Sequence, residues 1–78
     1  MSKTRAEHMA WCKQRATDEF NFYMQRDGLD AAIRNSVASM VSDLGKHPET
    51  RGSQQFAMLL GQTIKAAHDL HGYINGFN

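Results

Sequence analysis

The sequence predicts an all-α protein: an antiparallel helical hairpin closed by a C-terminal helical segment, with three to four helices. Three observations support this fold class. Apolar residues recur at spacings of three and four, which is the period of one helical face. No segment shows the sustained polar–apolar alternation that is typical of a half-buried strand. Gly28, Gly45 and Pro48 fall between the periodic segments, where helices end.

The first helix is predicted over residues 5–26. Thr4 and Glu7 have the spacing of a capping box, in which each side chain accepts a hydrogen bond from the other residue's backbone N–H. Gly28 tolerates the left-handed conformation that commonly follows a helix. One face of this helix is apolar and is formed by Met9, Cys12, Ala16, Phe20 and Tyr23.

The second helix is predicted over residues 30–44, with Asp27 or Asp30 capping its start and Gly45 ending it. Its apolar stripe consists of Ile33, Val37, Met40 and Leu44, widened by Ala38 and Val41. The opposite side carries small and polar residues, and we interpret it as the polar side of the helix: Asn35, Ser36, Ser39, Ser42 and Asp43.

The region 53–75 contains two apolar groups separated by a glycine. A patch formed by Phe56, Leu59 and Leu60 precedes Gly61, and a second apolar run follows it. We favour two helices, with Thr63 as the cap of the second, over one helix bent at Gly61. Gly76 closes the last helix, and Phe77 folds back on it as the apolar contact of a Schellman-type cap.

Composition narrows the protein class. A chain of 78 residues and 8.8 kDa makes one domain, residues 1–78, whose core is marginal. Its single cysteine excludes an internal disulfide and suits a reducing cytosol. No apolar run is long enough to span a membrane, and no apolar segment follows the first three residues, so we expect no secretory signal.

Trp11 and Phe22 need their own explanation. They lie eleven residues apart, close to three helical turns, so both point away from the apolar face of the first helix, with Arg15 between them. Either the remaining helices bury both aromatic side chains, or Trp11, Arg15 and Phe22 form a protein-binding surface. Trp and Arg are enriched at binding hot spots, and small chains commonly gain buried area by oligomerisation.

Other chemistries have weaker support. A zinc-supported fold would use two pairs with helical spacing, His8 with Cys12 and His68 with His71. Nucleic-acid binding would use the basic residues of the first helix, Arg5, Lys13, Arg15 and Arg26, among which acidic residues are interleaved. The sequence has no glycine-rich phosphate loop and no exposed nucleophile, so we expect no enzyme, no catalytic residue, no metal and no cofactor.

Three stretches carry a resemblance to a known group. Residues 7–16 (EHMAWCKQRA), 38–50 (ASMVSDLGKHPET) and 73–78 (YINGFN) resemble small uncharacterised helical proteins of tailed bacteriophages. The resemblance implies a small phage accessory protein in the host bacterial cytoplasm. Such a protein would bind a host or phage protein, inhibiting or modulating a host protein or defence complex, with homo-oligomerisation as a variant. Nucleic-acid binding is the alternative.

Overall fold

The computed structural model describes residues 4–77 and confirms the all-α hairpin. Its α-helices are α1 (Arg5–Arg26), α2 (Leu29–Leu44), α3 (Gln54–Gly61) and α4 (Ala67–Asn75), with a 3₁₀ turn at Arg51–Ser53. No strand occurs between residues 4 and 77. Residues 1–3 and 78, which bear on the expected absence of a signal peptide and on the last resembling stretch, lie outside the described residues.

Local sequence signals set the limits of α1. The Thr4 hydroxyl accepts from the Glu7 N–H at 3.1 Å, and the Glu7 carboxylate accepts from the Thr4 N–H at 3.0 Å, so the predicted capping box is confirmed. The chain turns after Arg26 through Gly28, whose φ of 94° lies in the left-handed region. Gly28 itself stands at the start of α2, so the predicted aspartate cap is wrong; Asp30 lies in the first turn instead.

Helices α1 and α2 pack closely because small side chains line their contact. Cys12, Ala16 and Ala32 are fully buried, and the buried Ser36 hydroxyl donates a 2.7 Å hydrogen bond to the Ala16 carbonyl. The interpretation of this side of α2 as its polar side is therefore wrong for Ser36 and Asp43, which are both buried. α2 packs against α1 on one face and against α3 on another, and α4 contacts both helices of the hairpin as well as α3.

The connector after α2 is fixed by side-chain hydrogen bonds to the end of that helix. The buried Thr50 hydroxyl donates to the Leu44 carbonyl at 2.6 Å, and the Gln54 amide donates to the Val41 carbonyl at 2.8 Å. These bonds satisfy carbonyl groups near a helix C-terminus, which α2 itself leaves without partners. They also direct the start of α3 back towards α2.

The C-terminal segment forms two helices, as predicted, and closes the hairpin. Gly61 ends α3 against Val37, whose side chain leaves no space for a Cβ at that position. α4 starts at Ala67, so Thr63 is not its cap; the Thr63 hydroxyl instead donates to the carbonyl of Leu60. Phe77 is buried, as expected of a residue that folds back.

The last turn corrects the predicted cap in one respect. Gly76 has a φ of −75°, so the cap is not the left-handed Schellman type. Phe77 nevertheless packs edge-on against Tyr73 at a centroid distance of 5.1 Å. With Leu70 and Ile74 it belongs to the buried core, so the C-terminal segment adds apolar side chains to the core of the hairpin.

Candidate functional site

The predicted residues Trp11 and Arg15 meet in a cluster at the end of the hairpin. Trp11 is half-buried, and its ring is bordered by two cations: the Arg15 guanidinium carbon lies 5.2 Å from the ring centroid and Lys46 Nζ lies 5.5 Å from it. The centroid of the His8 ring lies 5.3 Å from the centroid of the Trp11 ring. Cations over an indole face are attracted by the ring quadrupole, so this packing is favourable.

Asp43 is the centre of the cluster. Its side chain is 1% exposed, with Arg15 Nε 2.6 Å from one carboxylate oxygen and Lys46 Nζ 3.0 Å from the other. Burial disfavours the charged carboxylate, but the hydrogen bond from Arg15 and the positive charges of Arg15 and Lys46 outweigh it and hold the Asp43 pKa below its ordinary value. The hydrogen bond to Asp43, with its negative charge, raises the pKa of Arg15.

Two histidines extend the cluster into the connector. The buried His8 Nε2–H donates to the Asp43 carbonyl at 2.7 Å, and the His8 and His47 rings lie 5.1 Å apart. His47 in turn accepts from the Glu49 N–H at 3.1 Å. The cluster therefore joins the start of α1, the end of α2 and the connector, and these contacts stabilise the fold.

Phe22 lies apart from Trp11 and Arg15. It is 54% exposed, about 16 Å along α1 from Trp11, and contacts its neighbours Tyr23 and Arg26. The structure thus brings together two of the three predicted surface residues and places the third on a separate part of α1.

The basic residues of the nucleic-acid alternative are dispersed along α1. Arg15 is paired with Asp43, and Lys13 Nζ donates to the Asn75 carbonyl at 3.4 Å. Arg26 lies 3.8 Å from Asp27, and Arg5 is half-buried in the first turn of the helix. The structure does not bring these four side chains to one place.

The four residues of the zinc hypothesis are also separated. His8 and Cys12 are buried, whereas His68 and His71 are exposed. His71 packs against Phe20 at a centroid distance of 5.3 Å, and His68 lies 3.1 Å from the carboxylate of Asp69. Between residues 4 and 77, no three His, Cys, Asp or Glu side chains are placed to hold a metal ion.

Four of the six large apolar side chains that are exposed between residues 4 and 77 lie on α3. Only Ala57 and Gly61 of this eight-residue helix are buried. Four large apolar side chains project from it and are exposed by 59%, 50%, 59% and 40%; we call them the α3 face: Phe56, Met58, Leu59 and Leu60. Large contiguous apolar patches are uncommon on monomeric proteins and mark interaction sites.

Two hollows flank the α3 face. On the α2 side, Met58 borders an apolar groove of about 500 Å³ with Ile33 and Val37 in its wall. On the α4 side, Phe56 and Leu60 border a hollow of about 220 Å³ that Tyr73 and Phe77 help to form. Leu59 lies between them, opposite the buried side of the helix. The face is therefore a ridge between two depressions.

In the sequence this patch is visible as Phe56, Leu59 and Leu60, but nothing in their spacing indicates a function. One sequence feature does indicate that the patch is exposed: apolar residues occupy almost the whole circumference of this helix, so helices packed on one side of it leave some of them uncovered. A second signal is that residues 52–64 contain no Asp, Glu, Lys or Arg.

No protein-family model matches the chain, and neither the curated proteins nor the solved structures contain a significant match to it. None of the helices between residues 4 and 77 has the length and apolar character that crossing a membrane requires.

Proposed function

We propose that this protein acts by binding another protein through the α3 face. The observation that carries the proposal is the exposure of Phe56, Met58, Leu59 and Leu60 on one short helix. An aromatic side chain surrounded by aliphatic ones offers large area at modest entropic cost, as binding hot spots do. We further propose, from the resemblance of its sequence, that it is a phage accessory protein that modulates a host or phage protein in the bacterial cytoplasm.

The free energy gained by burying the α3 face is large enough to support binding. A fully exposed aromatic side chain presents ~200 Å² and aliphatic ones somewhat less, so the measured exposures amount to roughly 400 Å². At about 25 cal/mol per Å², removing that area from water yields ~10 kcal/mol before the costs of association. Phe22, which is 54% exposed on α1, presents only about a quarter of this area.

The composition of the α3 face supports protein binding rather than nucleic-acid binding at this surface. Phosphate recognition uses Lys and Arg, and residues 52–64 contain neither. The hollows beside the face are lined mainly by apolar groups, which suits side chains of a partner. The predicted surface at Trp11, Arg15 and Phe22 stays a prediction, and the cluster around Asp43 gives Trp11 and Arg15 a structural role as well.

The test compares two phenylalanines of nearly equal exposure. Tagged wild-type protein and the variants Phe56→Ser and Phe22→Ser are used to capture proteins from a lysate of bacteria that also produce the untagged chain, and each captured protein is purified and titrated calorimetrically. We expect Phe56→Ser to weaken binding about 30-fold, which corresponds to a hot spot of ~2 kcal/mol. Phe22→Ser, 54% exposed in the wild type against 59% for Phe56, should bind normally.

A Trp11→Ala variant extends the experiment to the predicted surface on α1. Loss of binding in Trp11→Ala or Phe22→Ser, with normal binding in Phe56→Ser, would assign the contact to α1 and refute the α3 face. Circular dichroism of every variant checks that the helices are retained.

A further inference from the structure

We propose that the partner of the α3 face is a second copy of this chain, paired through a two-fold axis. The inference rests on the proposed function and identifies the occupant of the same surface. Three properties of the chain support it: the charge distribution around α3, the shape of the face, and its area.

The charge distribution favours self-pairing. In a two-fold interface each residue near the axis faces its own copy, so a charged surface repels itself. Residues 52–64 carry no charged side chain, and one acidic and one basic exposed residue lie on either side in the sequence: Glu49 and Arg51 before, Lys65 and Asp69 after. In space, Arg34 of α2 also lines the groove that Met58 borders, away from the crest at Leu59. Antiparallel pairing of two α3 helices brings the start of one beside the end of the other, and because each end carries one charge of either sign, no net charge opposes the pairing.

The shape of the face is self-complementary. Each copy presents a ridge, with Leu59 at its crest, and a depression on either side of it. Helices pack by placing the ridges of one into the grooves of the other. Two antiparallel copies with Leu59 near the axis can therefore each place apolar side chains into the hollows of the other.

The area suffices for a small dimer. The four side chains of the α3 face expose roughly 400 Å² in each copy, so pairing buries about 800 Å² from these side chains, against ~1,000 Å² for a specific interface. The rims of the two hollows supply the remaining area. A lipid surface fits less well, because membrane-lying helices carry Lys and Arg along their polar face and α3 has neither.

The experiment uses charge reversal at the crest of the ridge. Sedimentation equilibrium from about 5 μM to about 500 μM measures the mass of the full chain and of Leu59→Glu, Leu59→Lys and Phe22→Glu. We expect wild type and Phe22→Glu to approach twice the chain mass of 8.8 kDa. Each Leu59 variant alone should raise the dimer dissociation constant at least ~100-fold, because like charges then face each other.

An equimolar mixture of Leu59→Glu and Leu59→Lys decides the geometry. Opposite charges now meet at the axis, so the mixture should regain the dimer mass. Wild type that stays at 8.8 kDa, Leu59 variants that dimerise normally, or a mixture that stays monomeric would each overturn the pairing. Binding of monomeric wild type to vesicles of phosphatidylcholine with phosphatidylglycerol would assign the face to lipid. The lysate capture above does not depend on self-association, so a monomer that captures another protein through Phe56 would overturn this inference alone.

Discussion

Replacing Asp43 with alanine should destabilise the fold strongly, because this carboxylate joins three parts of the chain. Deleting one partner of a fully buried ion pair costs ~3–5 kcal/mol. Here Arg15 and Lys46 keep 42% and 55% of their side chains exposed, so water solvates them after the carboxylate is removed. We therefore expect Asp43→Ala to lower the free energy of unfolding by about 2 kcal/mol.

Such a loss is large for a chain of this size. At 0.05–0.15 kcal/mol per residue, the whole protein is stabilised by roughly 4–12 kcal/mol. A loss of 2 kcal/mol then lowers the midpoint of thermal unfolding by about 8–16 °C, which circular dichroism at pH 7 measures. The control is Asp18→Ala, which removes an exposed carboxylate from α1 and should move the midpoint by no more than ~3 °C. A loss in Asp43→Ala as small as in the control would refute the buried cluster.

Three further predictions concern stability. Because its pKa is depressed, Asp43 stabilises the fold fully above about pH 4 and loses that effect as the pH falls through its folded-state pKa. The stability difference between wild type and Asp43→Ala should shrink below pH 4; a constant difference down to about pH 2 would contradict this. Gly61→Ala should lower the free energy of unfolding by ~1–3 kcal/mol, because the new Cβ overlaps the Val37 side chain. Adding Val37→Ala should restore part of this stability, as measured by urea unfolding. A double variant no more stable than Gly61→Ala would exclude the clash. Thr50→Val should lower the free energy of unfolding by ~1–2 kcal/mol, because it removes the buried hydrogen bond to the Leu44 carbonyl, whereas Thr50→Ser keeps the hydroxyl and should not. If both variants lose the same stability in a thermal melt, the effect comes from packing.

The sequence predicted elements whose limits are set locally. The capping box at Thr4 and Glu7 and the glycine after Arg26 act within a few residues, and α1 has the predicted limits. The break after Gly61 was predicted as well. The start of α4 was predicted at Thr63 but lies at Ala67, and the Thr63 hydroxyl instead donates a hydrogen bond to the Leu60 carbonyl.

Features that depend on distant contacts could not be predicted from periodicity. Ser36 and Asp43 lie on a small, polar side of α2, which looks solvent-facing until α1 covers it. The partner of Arg15 is 28 residues away, and no local pattern indicates that pairing. For the α3 face, composition showed apolar residues around the helix, but only the packing of Ala57 and Gly61 against the hairpin decides which of them remain exposed.

Site-specific photo-crosslinking tests most directly whether the α3 face is the protein contact surface. A benzophenone amino acid replaces Leu59 in one variant and Phe22 in another, and both are irradiated in bacterial cells that produce the chain. We expect position 59 to give at least ~10 times more covalent protein adduct than position 22, because hot-spot contacts lie at the centre of an interface. Equal yields at the two positions, or no adduct from position 59, would contradict the assignment of the α3 face.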